Sequence, residues 1–274
     1  RIFRIVPLYW LGTCGVFLVA LLMPTLLNAT TANLTNLAKS LFLIPYRRED
    51  GSVFPMLFLG WTLEYEMFFY IVFGLALAFF KRWASLAASL ALFAVVVAGQ
   101  LFGASSTFPR FYSNPMILEF VFVMAVFAIW KRYKDSFAKF PVALALAFAI
   151  CFYIYLYLVE SFVGRNNRIF FQGLPSVVIV LSLLALEGRI GFPKWLLVIG
   201  DASYSLYLFH PYVIQFIDKK IVTLSVLKPV SLVVSVGAIL ACFLLAIVSF
   251  RMVERPSNEF LRRRFLKHRT RITA

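Results

Sequence analysis

Charge is what this chain has least of. Charged residues fill 14% of its 274 positions, and only 12 are acidic, where a soluble globular protein is about a quarter charged. That deficit excludes a soluble fold, because the polar surface needed to face water is missing. Cysteine is scarce too. Cys14, Cys151 and Cys242 all fall in apolar runs, so they read as small buried hydrophobes and not as a disulfide or metal framework. Of the two histidines, His268 lies in the tail and His210 has no second His or Cys at ligand spacing, which leaves no metal centre to build. Neither a glycine-rich phosphate loop nor a Gly-x-Ser-x-Gly elbow occurs, and no internal repeat is evident.

What the chain does have is hydrocarbon. Hydrophobic residues make up 62% and aromatics 18% of it, and a membrane-spanning helix needs about 20 apolar residues. Eight segments approach that length: 5–27, 57–80, 84–102, 114–130, 141–159, 173–187, 202–217 and 229–250. The reading is an all-α, polytopic membrane helix bundle of about eight spans. Pro141, Pro175 and Pro229 sit near helix starts, where a missing N–H is harmless. Gly200-Asp201 reads as a break with Asp201 as the next N-cap. Residues 28–56 form the one long non-cytoplasmic loop, and Leu34, Leu37, Leu41 and Phe42 at helical spacing read as an interfacial amphipathic segment.

The net charge of +15 does not point to nucleic acid, since the basic residues lie between apolar spans and act there as topology signals. Of 27 Lys and Arg residues, 18 fall on the side that holds both chain ends. That side is therefore cytoplasmic, in the plasma (inner) membrane. Residues 1–250 read as the membrane domain and 251–274 as a basic cytoplasmic tail, a positive-inside anchor.

Few polar groups interrupt the spans. Glu64 and Glu66 lie in the run Trp61-Thr62-Leu63-Glu64-Tyr65-Glu66-Met67-Phe68-Phe69-Tyr70, and a carboxylate in hydrocarbon is a functional candidate by default. Two residues are roughly 200° apart round a helix, so the two carboxylates face differently. Glu66 has Tyr70 a turn on and Thr62 a turn back; it suits either a buried carboxylate at a site or a hydrogen-bonded packing residue. Glu64 reads as structural. Glu119 stands at a helix start, where the helix dipole tolerates it, with pairing to a loop arginine as the alternative.

His210 lies in Ser203-Tyr204-Ser205-Leu206-Tyr207-Leu208-Phe209-His210, roughly 13–14 Å from Asp201 at 1.5 Å per residue. Ser203 and Tyr207 share its face. An imidazole at that depth suits a general base or a proton relay. Arg165, Arg168 and Gln172 could meet an anionic or hydroxyl-rich substrate, or only headgroups. Arg1 and Arg4 could meet phosphate. From these residues alone, a membrane-embedded acid–base site and a transport site both stay open.

The order of the pieces resembles acyltransferase family 3, membrane enzymes that acylate extracytoplasmic carbohydrates. The resemblance rests on Arg1-x-x-Arg4-Ile5-x-Pro7-x-Tyr9-Trp10, Trp61-Thr62-Leu63-x-x-Glu66-x-x-Phe69-Tyr70, Gly173-Leu174-Pro175 and Gly200-x-x-Ser203-Tyr204-Ser205-Leu206-Tyr207-Leu208-x-His210, with Glu119 and Val253-Glu254-Arg255-Pro256 in place. It implies transfer of an acyl group, acetyl above all, from acyl-CoA to a sugar hydroxyl of a cell-surface or lipid-linked carbohydrate. By resemblance, Glu66 and His210 are the catalytic candidates; Arg168, Tyr70 and Tyr207 meet the acceptor; Arg1 and Arg4 meet the phosphates of acyl-CoA. No metal is implied.

Members of that family typically begin with two further helices, the first bearing an Arg and a His regarded as essential. No residue here matches that His, so the eight segments correspond to the last eight of about ten, and the expectation is an N-terminally truncated chain. Two other readings remain: a glycolipid transporter or flippase using Glu66 and His210 as a proton relay, and an inactive remnant.

Overall fold

The computed structural model describes residues 2–27, 30–103, 106–159, 168–220 and 228–266. Among these residues every named element is helical; the nearest approach to a strand is a single bridge between Arg47 and Val53. The chain divides into two units, residues 1–64 with 192–274 and residues 65–191. Helix α3, Gly60–Phe80, passes from the first unit to the second after its first turn.

Each of the eight apolar segments falls on a helix. Among the described residues, four stretches are long and apolar enough to cross a membrane: Phe3–Leu22, Gly60–Phe102, Val142–Val159 and Val233–Arg264. The second holds both α3 and α4 (Ala84–Phe102), separated by the turn Lys81–Trp83, in which Lys81 takes a positive φ of 42°. Among the rest, α6 (Glu119–Arg132) has 14 residues, about 21 Å of helix against roughly 30 Å of hydrocarbon. α11 (Ser203–Lys220) is long enough but carries too many polar residues to qualify.

In the first unit α1 (Ile2–Leu22) is the central element. Ile5, Leu8, Tyr9, Thr13, Val16 and Ala20 are buried along it at helical spacing. The loop after it contains α2 (Leu34–Leu41), whose N-cap is Asn33: its side chain accepts from the Thr35 N–H at 2.8 Å and the Asn36 N–H at 3.3 Å. α2 is tied to α1 through Tyr9, which donates to the Ser40 carbonyl at 2.9 Å, and Trp10, whose indole N–H donates to the Leu41 carbonyl at 2.8 Å. Ser40 in turn donates to the Tyr46 hydroxyl at 3.3 Å and accepts from the Met56 N–H at 2.9 Å. Burial lifts the Tyr46 phenol above its ordinary value.

The start of α3 is packed hard onto α1. A Cβ added to Gly60 would stand 2.6 Å from the Tyr9 ring and 2.9 Å from Pro55. Tyr9 is fully buried and held by its hydroxyl, so it has nowhere to move. Gly60→Ala is therefore expected to destabilise the protein by about 1–3 kcal/mol, the usual cost of overpacking, and thermal unfolding in detergent measures it. An unchanged melting temperature would show that this contact is slack.

The expected N-cap of α11 needs correction. α10 (Lys194–Asp201) runs through Asp201, and the Ala202 carbonyl accepts the first bond of α11, from the Leu206 N–H at 2.9 Å. Ala202 is thus the cap, and Asp201 closes the preceding helix. The cysteine expectation also needs correction: Cys242 is buried, whereas Cys14 and Cys151 are exposed. On a lipid-facing helix an apolar residue gains nothing by turning inward, so hydrophobicity alone does not predict burial there.

In the second unit α4 buries Ala84, Ala88, Leu92 and Val96, one residue per turn. Ala84 and Ala88 pack with Ala76 of α3, where small side chains let helices approach closely. Three aromatic stacks build the rest of this face: Tyr65 on Phe111 at 4.3 Å, Phe68 on Tyr112 at 4.3 Å and Phe69 on Phe120 at 4.5 Å. α8 (Val142–Val159) and α9 (Leu174–Ala185) pair beside α6.

Two π-helical turns, Ile169–Gly173 and Phe250–Glu254, interrupt this regular pattern. Each ends two positions before a proline: Leu174 N–H bonds to the Ile169 carbonyl ahead of Pro175, and Arg255 N–H to the Phe250 carbonyl ahead of Pro256. A proline ring clashes with the carbonyl four residues back. Widening the preceding turn by one residue relieves that clash, and it re-aims the side chains of the turn. The first turn bears Gln172 and the second Glu254.

Candidate active site

α11 has two faces with different work. On one, Ser205 and Leu208 are fully buried. Ser205 donates to Glu254 at 2.7 Å, and Glu254, 2% exposed, also receives the Arg4 guanidinium at 2.7 Å. Arg4 bonds the Asp201 carbonyl at 2.9 Å as well, and Tyr204 donates to the Ile5 carbonyl at 2.9 Å. One buried carboxylate on the second π turn thus joins α1, α11 and the end of α12 (Lys228–Ser249). Arg4, a cofactor candidate by sequence, is committed on this side to an ion pair. Arg1 lies outside the described residues.

The other face of α11 presents Ser203, Leu206, Tyr207, His210 and Ile214, at the spacing of a single stripe. Together with Ala238, Ile239 and Cys242 of α12 they line a groove of about 610 Å³. His210 is half-buried there. Its orientation follows from the next residue. Pro211 has no N–H, so it cannot bond the Tyr207 carbonyl four residues back. The imidazole fills that place: Nδ1 stands 2.9 Å from the Tyr207 carbonyl and 3.1 Å from that of Leu206. Carbonyls only accept, so Nδ1 carries a proton, and Nε2 is the nitrogen left to give or take one.

Tyr207 reaches the start of α3. Its hydroxyl lies 2.8 Å from Thr62 Oγ1, and Thr62 donates its own proton to the Leu59 carbonyl at 3.0 Å. Tyr207 is therefore the donor to Thr62. Tyr207→Phe is expected to leave the melting temperature within a few degrees and to reduce kcat about tenfold, the equivalent of one hydrogen bond of ~1.4 kcal/mol. An unaltered kcat would make the bond a packing contact only.

The two carboxylates of α3 are arranged differently from the expectation. Glu64 is the fully buried one, with no hydrogen-bond partner for either oxygen among the described residues. It lies within electrostatic reach of Tyr9 and of Arg48, whose guanidinium bonds the Phe54 carbonyl at 2.9 Å and also the Pro55 carbonyl. Glu66 belongs to the second unit, is half-buried, and accepts a hydrogen bond from Tyr70 one turn on. The Glu66–Tyr70 pairing inferred from spacing is present. Glu64, read as structural, is the residue that burial singles out, and nothing in the local sequence distinguishes the buried face from the other.

In the second unit Glu119 opens α6 and pairs with Arg168 at 3.2 Å. Arg168 precedes the first π turn, and Gly173 ends it against Phe122, where an added Cβ would stand 3.0 Å away. Glu119, Arg168, Gln172 and Ser176 line a groove of about 450 Å³ with Phe122, Val126 and Val177. Arg165 lies outside the described residues. Among those described, no three His, Cys, Asp or Glu side chains converge as metal ligands.

No solved structure matches the chain. It is 32% identical over 268 residues, covering 92% of this chain and 78% of the relative, to the exopolysaccharide production protein ExoZ of Rhizobium meliloti (strain 1021). Residues 1–251 match the family model described as the acyltransferase domain of acyltransferase family 3. The chain belongs to acyltransferase family 3, and it is a multi-pass membrane acyltransferase.

Proposed function

We propose that this chain moves an acyl group, acetyl above all, from acyl-CoA on the cytoplasmic side to a hydroxyl of a carbohydrate on the far side of the plasma membrane. The relative's name places that protein in exopolysaccharide production, which supports a carbohydrate acceptor here. The observation that carries the reading is His210 Nδ1 standing 2.9 Å from the Tyr207 carbonyl beside a groove between two helices. In this scheme the acceptor hydroxyl gives its proton to His210 Nε2 while its oxygen forms a bond to the thioester carbonyl. The carbon–sulfur bond then breaks, and the CoA thiolate leaves with the proton returned by the imidazolium. Glu66, held by Tyr70, is assigned as the second catalytic group. Arg168, Tyr70 and Tyr207 are assigned to the acceptor, and Arg1 and Arg4 to the phosphates of acyl-CoA.

The reading includes eight spans, with α6, the first π turn with α9, and α11 crossing among neighbours that shield their polar positions, and α3 and α4 crossing separately. Residues 1–250 are then the transmembrane domain, 251–274 a basic tail, and both ends cytoplasmic. The test uses purified protein in nanodiscs with radiolabelled acetyl-CoA and a carbohydrate acceptor. Label in a base-labile ester on the sugar is expected. If no label moves while glycolipid crosses the bilayer without acyl-CoA, the protein is a transporter and the proposal fails.

A further inference from the structure

The groove beside His210 is larger than the transfer of an acetyl group needs. It lies within the first unit, between α11 and α12, and has a volume of about 610 Å³, well inside the range of about 300–1,000 Å³ that holds drug-sized ligands. Contacts at two levels fix the register of its walls. Ser205 meets Glu254, and the Cys242 thiol stands 3.9 Å from the His210 carbonyl. The two helices therefore run antiparallel, with Cys242 level with His210. One turn further along α11 is Ile214, and one turn back along α12 is Ala238, so these two stand level about 6 Å beyond the imidazole. Ser203, Leu206 and Tyr207 line the groove in the other direction, toward the start of α11. Ala238 and Cys242 are small, and Ile214 and Ile239 form an exposed rim.

We propose that the space beyond His210 takes the tail of the transferred acyl group, that uncharged groups longer than acetyl are accepted, and that Ala238 sets the upper limit on their length. The inference rests on the acyl transfer at His210 proposed above and adds which acyl groups the site admits. In that reading the donor arrives from the cytoplasmic side, where α11 begins. Its sulfur then lies toward Ser203 and its tail toward Ala238, with the thioester carbonyl at the imidazole between them. Ile214, Ala238, Ile239 and Cys242 surround the tail. They give an alkyl chain apolar contact, and among the described residues lining the groove there is no Lys or Arg to meet a terminal carboxylate. A larger side chain in place of Ala238 takes the room of the tail.

The test measures kcat/KM for acetyl-, butanoyl- and succinyl-CoA with one carbohydrate acceptor, using the full chain in nanodiscs. Butanoyl is expected to be transferred at least as efficiently as acetyl, and succinyl at least ~10-fold less efficiently than butanoyl. Partition of the longer chain into the bilayer acts on every variant alike, so the deciding readout is how the butanoyl-to-acetyl ratio changes. Ala238→Leu is expected to lower that ratio at least ~10-fold, since two methylenes lose their place and each is worth about fourfold. Ile214→Ala removes bulk from the rim and is expected to raise hexanoyl transfer relative to acetyl, a readout that stands even where Ala238→Leu does not fold. Calorimetry with the non-transferable thioethers S-ethyl-CoA and S-butyl-CoA reads the same space without turnover. S-butyl-CoA is expected to bind the parent ~10-fold more tightly, and Ala238→Leu to erase the difference. Rejection of butanoyl, succinyl transferred as well as butanoyl, equal binding of the two thioethers to the parent, or ratios that neither variant moves would overturn the inference and leave acetyl transfer standing. If no acyl group reaches the sugar, the functional proposal fails, while an S-butyl preference lost in Ala238→Leu would still establish the tail site.

Discussion

Replacing His210 by Gln is expected to lower kcat by roughly 10²- to 10⁴-fold, the range seen when a general base is removed, with little change in stability. Gln retains an amide N–H for the orphan Tyr207 carbonyl but supplies no base. The sharper experiment changes the neighbour. Pro211→Ala restores an N–H to the Tyr207 carbonyl and removes a proline from the interior of α11, a defect that costs up to about 3 kcal/mol in a helix. The imidazole then loses its acceptor at 2.9 Å to the backbone and is no longer held in one orientation. The expected outcome is a protein that melts higher and turns over at least about tenfold more slowly. A packing histidine would give the opposite pattern, with stability changing at His210→Gln and activity unmoved in both variants. Activity in Pro211→Ala equal to that of the parent would show that the orphan carbonyl has no part in catalysis.

Removing Arg4 is expected to be the most destabilising single change in the first unit. Glu254 has a side chain 1% exposed, held by Arg4 and Ser205. Arg4→Ala leaves that carboxylate buried with one hydroxyl, and breaking a buried pair from one side costs about 3–5 kcal/mol. Arg4 itself is 44% exposed, which places the expected loss near the lower bound. Glu254→Gln should cost only about 1 kcal/mol, since an amide oxygen still accepts from Arg4 and the half-exposed guanidinium is solvated. A double-mutant cycle on melting temperature measures the coupling. The KM for acyl-CoA separates the two roles given to Arg4. If Arg4→Ala raises that KM while Glu254→Ala does not, the guanidinium meets the donor in addition to Glu254. If both leave KM unchanged, Arg4 is a clamp alone and its assignment to the donor is lost.

How far the sequence reached can be seen in α11. The stripe Ser203, Tyr207, His210 follows from helical period alone, and the groove lies on that stripe. Pro211 was in plain view as the reason for the histidine's orientation, although its meaning needs the helix to continue through it. The Glu66–Tyr70 pair is likewise a one-turn relation, and so is Glu119 at a helix start. The Arg4–Glu254 pair is not of this kind. The two residues are 250 positions apart, and no local pattern says which of 27 basic residues a buried carboxylate will meet.

By itself the sequence determined the solvent, the class and the helices: scarce charge demands a membrane, runs of about 20 apolar residues demand spanning helices, and its motifs determined the family. Tertiary structure decided which face of each helix is inside. It buried Glu64 rather than Glu66, left Cys14 and Cys151 exposed, and set Glu254 against Arg4 and Ser205. The reason is physical. Lipid is as apolar as a protein core, so the hydrophobic pattern that marks the inner face of a soluble helix is nearly erased here, and only the packing partners reveal it.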